Sequence, residues 1–154
     1  MADVQVPSEV LAFLQEHQTL TLATTSKNGL PWANAFLYVS DGASLSFWAR
    51  PNSTSAQNIA EQPTVAFAID EYSADLREAR GLHGRGECRV ITGEDIARVA
   101  DRFGQKFPQL SRGQTMSIMF FSLTPSELVF VDNHDSARTT VDDEFGADFH
   151  TRKL

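Results

Sequence analysis

Residues 19–49, TLTLATTSKNGLPWANAFLYVSDGASLSFWA, contain three strand-like runs separated by two turn signals. Thr19 to Thr25 alternates in the way a half-buried strand does. Asn28-Gly29 and Asp41-Gly42 are typical of tight hairpin turns, because glycine accepts the backbone conformation that such turns need. The middle run sets Trp32, Asn34, Phe36 and Tyr38 on one face and Ala33, Ala35, Leu37 and Val39 on the other. The stretch therefore predicts an antiparallel meander.

Further strand-like runs follow the meander. They are residues 64–70 (TVAFAID), 81–91 (GLHGRGECRVI), 117–123 (SIMFFSL) and 127–131 (ELVFV), the last two on either side of Thr124-Pro125. In the second of these runs Gly84 and Gly86 share one face, which indicates close approach of another group or a sharply bent strand. About six strands with little helix favour a mainly β fold, a small closed or partly closed barrel, because closure removes exposed sheet edges.

Three helices are predicted to flank the strands, each behind a residue that can cap it. The candidate caps are Ser8, Thr54 and Thr92. Thr54 and Gln57 have the spacing of a capping box, and the helix that they begin must end before Pro63. The predicted buried face of the third and longest helix consists of Ile96, Val99 and Phe103, and Phe107-Pro108 marks its end.

The composition is that of a globular protein. The chain has 154 residues, of which 42% are hydrophobic and 21% are charged, and this size suits one domain. The formal net charge of −7 argues against broad binding to DNA or RNA. We therefore expect a single domain over residues 1–154, with a polar tail over residues 133–154 and no nucleic-acid partner.

Cysteine usage and hydropathy bear on the compartment. The one cysteine, Cys88, cannot form an intrachain disulfide, which fits a reducing environment, and we expect it to pack as a small hydrophobic side chain. The first residues, MADVQVPSEV, lack the basic and apolar regions of a signal peptide. The dense apolar stretches AFAI and IMFF are too short to cross a bilayer. These features favour a cytoplasmic protein that does not enter a membrane.

The connection between the third strand and the second helix is rich in hydroxyl groups, because Ser53, Thr54 and Ser55 follow one another. One interpretation is that these residues only cap the helix. The other is that they bind an anion such as a nucleotide phosphate, because a helix N-terminus carries partial positive charge and free N–H groups. The two roles can coexist, since the hydroxyls can serve one and the backbone N–H groups the other.

The order of these signals resembles that of the pyridoxamine 5'-phosphate oxidase-like FMN-binding split barrels. The resemblance rests on TLATT, Asn28-Gly29, PWANAFLYV, LSFWA, SAQNI, QPTVAFAI, GLHGRGE and the helix ending in FP, and it extends from about Leu20 to Asn133. The strings WANAF and FVDN are most similar to a poorly characterised bacterial branch. The resemblance implies a six-stranded antiparallel split β-barrel with short flanking helices. It also implies a homodimer that binds FMN at the subunit interface.

The resemblance further implies which residues bind the cofactor. Family members usually hold the phosphate on a serine followed by an arginine and a lysine; here Ser53 keeps the serine, but Thr54 and Ser55 replace the basic pair. Asn34 stands where the vitamin-processing oxidases carry another phosphate-binding arginine. Arg50, or Arg85 from a partner chain, would supply the missing positive charge. The other expected cofactor-binding residues are Ala35, Phe36, Trp48, Ala49 and His83.

Three functions are compatible with these features. The first is a dimeric FMN-binding flavoprotein with oxidoreductase or flavin-reductase-like activity on a small molecule. The second is a haem-binding or haem-handling protein, in which His83, His134 or His150 supplies the axial ligand. The third is a dimer that has lost its cofactor together with the basic pair. The four histidines do not pair at metal-ligand spacing, so we expect no metal site.

Overall fold

The computed structural model describes residues 5–110, 117–134 and 151–154. The helices are α1 (Ser8–Glu16), α2 (Thr54–Glu61) and α3 (Glu94–Lys106), and a single 3₁₀ turn spans Leu76–Glu78 in the described part of the chain. The strands are β1 (Thr19–Thr25), β2 (Pro31–Asp41), β3 (Ser44–Ala49), β4 (Thr64–Glu71), β5 (Arg80–Val90), β6 (Met119–Asp132) and β7 (Thr151–Lys153). None of the helices in these described ranges is long and apolar enough to span a membrane.

Six of the strands form an antiparallel barrel, which confirms the predicted fold class. Neighbouring strands pair in the order β3-β2-β1-β4-β5-β6, and a further pairing between β3 and β6 closes the circle. The short strand β7 pairs with the last part of β6. Both predicted hairpin turns are present, and Gly29 and Gly42 adopt positive φ angles of 79° and 59° in them. The meander that residues 19–49 predict is therefore β1, β2 and β3.

The last strand of the barrel differs from the sequence prediction, because residues 117–123 and 127–131 do not form two separate strands. They belong to one continuous strand, β6, which carries a bulge. Arg85 pairs with Glu127 and Gly86 with Pro125, so Ser126 is the extra residue, and its hydroxyl donates a hydrogen bond to the Arg85 carbonyl across 3.2 Å. A bulge is one of the few places where a strand tolerates proline. Pro125 therefore marks an irregularity in β6 and not its end.

The two same-face glycines of β5 lie where β6 passes closely. A Cβ atom on Gly84 would overlap the Glu127 carbonyl oxygen, and one on Gly86 would overlap the Thr124 carbonyl oxygen and lie 2.9 Å from the Cα of Pro125. These contacts are with backbone atoms, which cannot move aside as a side chain can. The close approach that the sequence predicts is therefore confirmed, and the approaching group is the neighbouring strand.

Inward-facing aliphatic and aromatic side chains from all six barrel strands fill the interior. Phe47 and Phe121 stack within it, with ring centroids 5.4 Å apart. The α1 helix covers one end of the barrel, and there the Tyr38 hydroxyl donates a hydrogen bond to the Leu14 carbonyl across 2.7 Å. Cys88 lies in this core, as predicted, and burial raises the pKa of its thiol to about 12.

All three predicted helix caps are wrong by one position. The N-cap residues are Pro7, Ser53 and Gly93, whereas the sequence favours Ser8, Thr54 and Thr92. At α2 the correction is informative, because the Ser53 hydroxyl accepts the hydrogen bond of the Ala56 N–H group across 3.2 Å. At α3 the chain turns through a positive φ of 65° at Gly93, which a threonine rarely adopts.

The α3 helix lies on the outside of the barrel. Val99 and Phe103 pack with Val39 and Phe107 in a second, smaller apolar cluster, and the helix ends at Phe107 as predicted. Ile96 was predicted to belong to the buried face, but its side chain is 44% exposed. It belongs to the first turn of α3, where a cavity lined by Asp95 and Arg98 lies between the helix and the barrel.

Candidate functional site

The barrel is split between the first half of β2 and β3. The two strands pair only from Tyr38 and Phe47 to Asp41 and Ser44, whereas residues 31–37 of β2 pair with β1. Within the described ranges, this half of β2 therefore has one open edge. Residues 31–35 are exposed on both faces, and the Trp32 side chain is 49% exposed. An open, two-sided strand with an exposed tryptophan is unusual in a protein surface unless another molecule covers it.

The other side of the split is the connection from β3 to α2. If the pairing of Tyr38 with Phe47 continued, Phe36 would face Ala49 and Asn34 would face Pro51. The Phe36 ring still contacts Phe47, with centroids 4.9 Å apart, and beyond that contact the strands separate. The predicted residues of β2 and of the β3–α2 connection therefore border the same opening.

The start of α2 is built from a turn and a cap. The Ser53 N–H donates to the Arg50 carbonyl across 3.0 Å, so Arg50 lies one turn before the helix. The Ser53 hydroxyl is used by the cap, and Thr54, the first residue of the helix, is exposed. The first N–H groups of a helix have no acceptor within the helix, and they point out of its N-terminus with partial positive charge. Hydroxyl and backbone amide donors are therefore gathered at this point, and the Arg50 backbone lies beside them.

Ser55 is the most unusual member of this segment. Its side chain is only 1% exposed, and its hydroxyl is the one buried side-chain polar atom in the described part of the chain that lacks a hydrogen-bond partner. A buried hydroxyl without a partner costs about 1–3 kcal/mol. Ser55 is therefore the member of this segment whose hydroxyl the rest of the described chain leaves unsatisfied.

A buried hydrogen bond fixes α2 against the barrel. The Asn58 side-chain amide donates to the Thr24 hydroxyl across 3.0 Å, and both residues are buried. Ala56 and Ile59 enter the main core on the same side of the helix. This pair was not predicted, although the sequence contains a signal for it, since Asn58 falls beside Ile59 on the apolar face of a short amphipathic helix.

Comparison with known proteins identifies the family. The family model described as pyridoxamine 5'-phosphate oxidase matches residues 6–132. The chain belongs to this family. A UPF0306 protein of Klebsiella pneumoniae is 25% identical over 123 residues, covering 79% of this chain and 81% of the relative.

Solved structures share the fold. A conserved hypothetical protein of Mycobacterium tuberculosis, Rv2991, is 20% identical to this chain, with a TM-score of 0.74. The superposition covers 92% of this chain and 94% of the Rv2991 chain. The haem storage protein HutZ of Vibrio cholerae is 23% identical to this chain, with a TM-score of 0.65. The superposition covers 79% of this chain and 91% of the HutZ chain. At these identities the similarity establishes the fold of the pyridoxamine 5'-phosphate oxidase family in this chain and leaves the ligand open.

Two residues that the family resemblance places beside the cofactor, Trp48 and Ala49, lie on opposite sides of β3. Ala49 is buried in the barrel core. Trp48 is half-buried on the outside, where it packs against the apolar cluster beneath α3 that contains Val39 and Phe103. Ala49 therefore lies next to the opening, whereas the observed contacts of Trp48 are with α3.

His83 and Arg85 lie on the outer face of β5, away from the opening of their own chain. The pairings join Ala35 to Thr21, Thr21 to Ala68 and Ala68 to His83, which is three strand spacings or roughly 14 Å. Arg85 forms an ion pair with Glu127, with Nε 3.0 Å from the carboxylate oxygen. Within one protomer His83 is therefore three strands away from the open half of β2, and the observed partner of Arg85 is Glu127.

The described residues contain no group of three His, Cys, Asp or Glu side chains that could hold a metal ion. His134 Nε2 lies within hydrogen-bond distance of the Glu78 carboxylate, 3.2 Å away, and the His134 backbone N–H donates to the Asp132 side chain. His150, the other haem-ligand candidate in the C-terminal tail, lies outside the described residues, as does most of the predicted polar tail.

Proposed function

We propose that the protein is a homodimeric, cytoplasmic FMN-binding flavoprotein that acts as an oxidoreductase on a small molecule. The observation that carries the proposal is the partnerless, buried Ser55 hydroxyl at the N-terminus of α2, on the border of the split in the barrel. Membership of the pyridoxamine 5'-phosphate oxidase family supports it. The residues present fit the phosphate group of FMN, since every donor type at this point favours an anion.

The phosphate would be held by Thr54, Ser55, the free N–H groups at the start of α2 and the guanidinium of Arg50. The hydroxyl and backbone N–H donors are neutral, so they lack the additional Coulomb attraction that an arginine and a lysine exert on a phosphate. We therefore expect weaker FMN binding here than in relatives that carry the arginine and lysine. The Ser53 hydroxyl already accepts from Ala56, so its contribution to the phosphate would be as a donor.

Asn34, Ala35 and Phe36 would border the flavin ring. Their strand edge is open, so those of its backbone groups that no side chain engages are available to hydrogen-bond acceptors and donors on a flat ring. The Asn34 side chain accepts from the Ala35 N–H across 2.9 Å. Bound FMN would supply the redox chemistry by carrying electrons between a donor and an acceptor, while the protein positions the ring and limits water access.

A second copy of the chain is the proposed cover for the open strand. Trp32 and the residues beside it on β2 are exposed on both faces, and such an edge invites pairing or burial by another chain. The partner would also contribute to the site, because Arg85 is exposed on the outer face of β5. Its ion pair with the half-buried Glu127 is partly open to solvent, so exchanging it for another partner costs little.

Native mass spectrometry of the purified protein, with FMN or haem added separately, tests the proposal. We expect a dimer that carries one FMN per protomer. A bare dimer that takes up neither group would support the cofactor-free alternative and contradict the proposal. Uptake of haem without FMN would likewise overturn it.

Haem handling is the second candidate. The fold is shared with the haem storage protein HutZ, and His83 is half-buried on the outer sheet face, opposite Ala68 in the β4–β5 ladder. Replacing His83 with alanine would abolish the haem absorbance band if this histidine is the axial ligand. An unchanged band in that variant and in His134→Ala and His150→Ala would eliminate this candidate.

A further inference from the structure

A cavity of about 310 Å³ lies between the first turns of α3 and the outside of the barrel. The hydroxyls of Ser46 and Ser122 form part of its floor, Val39 and Val99 form an apolar wall, and Arg98 and Arg102 line it from α3. It lies at the start of β3, whereas α2 follows the end of that strand. The length of β3, five residue steps, separates the cavity from the start of the α2 connection by roughly 16 Å. The cavity is therefore distinct from the proposed flavin site.

Four charged groups at the cavity form two opposite pairs. Arg98 is paired with Asp95 one turn earlier in α3. Arg102 reaches Asp41 across 3.2 Å and donates a hydrogen bond to the Ser40 carbonyl across 3.0 Å. The two arginines and the two aspartates together carry no net charge, and both carboxylates are well exposed. Exposed ion pairs of this kind contribute at most about 1 kcal/mol, so their partners can be exchanged at little cost.

The floor offers hydrogen-bonding groups that the protein itself does not use. Ser46 and Ser122 are directly opposite each other in the β3–β6 ladder, on the outer face. Neither hydroxyl is hydrogen-bonded to another residue in the described ranges. Both are half-buried beneath α3. A small molecule in the cavity would therefore meet two neutral hydroxyls below, an aliphatic wall at the side and both signs of charge at the mouth.

We propose that this cavity binds a small zwitterion with an aliphatic body, of the class of free aliphatic α-amino acids. A zwitterion can exchange ion pairs without leaving a charge unpaired, because its carboxylate takes the place of Asp95 on Arg98 and its ammonium group binds the released carboxylate. A ligand that is only anionic or only cationic leaves one protein charge without a partner. The apolar wall at Val39 and Val99 fits a branched side chain, and the cavity lies at the small end of ligand-site volumes, about 300–1,000 Å³.

Three compounds of nearly equal shape test the proposal. L-leucine carries both charges, 3-methylbutylamine lacks the carboxylate, and 4-methylpentanoate lacks the ammonium group. We expect L-leucine to raise the melting temperature in a saturable way, and the two singly charged compounds to have no saturable effect. No shift with L-leucine, or equal shifts with all three compounds, would overturn the proposal.

Arg98→Gln supplies the variant test. Arg98 is largely exposed, so the variant should fold, and its melting temperature without ligand checks this. We expect L-leucine binding to weaken at least about tenfold, since one charge-assisted contact is lost. Arg77→Gln is the matched control, because Arg77 forms a similar exposed pair with Asp75 on the 3₁₀ turn and does not line the cavity. Equal binding by wild type and Arg98→Gln would place any ligand elsewhere and overturn the proposal.

Discussion

The Asn58 side-chain amide donates a hydrogen bond to the Thr24 hydroxyl across 3.0 Å, and this buried pair joins α2 to β1. It therefore fixes the position of the helix whose N-terminus borders the split. Removing either side chain lowers the free energy of unfolding, because the remaining partner stays buried without a hydrogen bond.

Replacing Asn58 with leucine should lower the free energy of unfolding by about 1–3 kcal/mol, because the Thr24 hydroxyl loses its partner. The double variant Asn58→Leu/Thr24→Val should lose less than the sum of the two single variants. Urea titration measures both effects. Gln57→Leu, on the exposed side of the same helix, is the control and should stay within about 0.5 kcal/mol of wild type. Additive losses in the double variant would show that the pair is not coupled.

Gly84→Ala should destabilise the barrel by about 3 kcal/mol or prevent folding, because the added methyl group overlaps the Glu127 carbonyl. Gly104→Ala is a matched control in α3, since nothing lies within 4 Å of the place that its added methyl group would occupy, and it should add about 0.5–1 kcal/mol of stability. Thermal unfolding compares the two variants. A stable Gly84→Ala protein would mean that β5 and β6 are further apart than the structure shows.

The stability of the protein should respond to alkaline pH through Lys106. Its ammonium group donates to the His17 carbonyl across 2.6 Å and lies 4.3 Å from the centre of the Tyr38 ring, and burial lowers its pKa from 10.5 to about 8. Between these two values the unfolded chain binds more protons at this residue than the folded protein does. The contribution of Lys106 to stability must therefore rise with pH through this window.

Urea titrations of wild type and Lys106→Met at several pH values isolate this contribution. We expect the stability of wild type relative to the variant to increase as the pH is raised above about 8. Lys27→Met removes the same charge from the exposed hairpin turn and provides the comparison. A wild-type advantage that falls over this range would reverse the assigned direction of the pKa shift.

Trp32→Glu should shift the protein from dimer to monomer, because it places a charge in the exposed half of β2 that we propose the second copy covers. Light scattering after size-exclusion chromatography measures the mass. Leu76→Glu is the control, since Leu76 has similar exposure, 43% against 49%, but lies on the 3₁₀ turn. A monomeric wild type, or a Trp32→Glu protein that stays dimeric, would place the dimer contact elsewhere.

The sequence predicts those features that local chemistry determines. Asn28-Gly29 and Asp41-Gly42 locate two turns correctly, since their backbone conformation depends on glycine itself. Pro125 was misleading, because whether a proline ends a strand or occupies a bulge depends on the strand opposite. The helix caps were each displaced by one residue: at α2 the neighbouring hydroxyls of Ser53 and Thr54 are equivalent in sequence, and only the path of the chain distinguishes them. At α1 and α3 the cap positions are Pro7 and Gly93, which carry no capping side chain.

At the candidate site, sequence reasoning found the hydroxyl-rich segment but not the different roles of its members. Ser53 caps α2, Thr54 is exposed, and Ser55 is buried without a partner. These differences arise from how α2 packs against the barrel, which depends on contacts such as Asn58 with Thr24 that are distant in sequence. The split itself also follows from tertiary structure, because β2 has the sequence pattern of one uniform strand yet pairs with β3 over only its second half.

The proposed phosphate site at the start of α2 can be tested with FMN and riboflavin, which differ only in the phosphate. Quenching of flavin fluorescence gives the affinity of each flavin for wild type and for Ser55→Ala. If the start of α2 holds the phosphate, wild type should bind FMN at least about tenfold more tightly than riboflavin. Ser55→Ala should narrow that difference, whereas the control Ser8→Ala at the start of α1 should not. Equal affinity of wild type for the two flavins, or an FMN preference that Ser55→Ala leaves unchanged, would rule out a phosphate site at this helix.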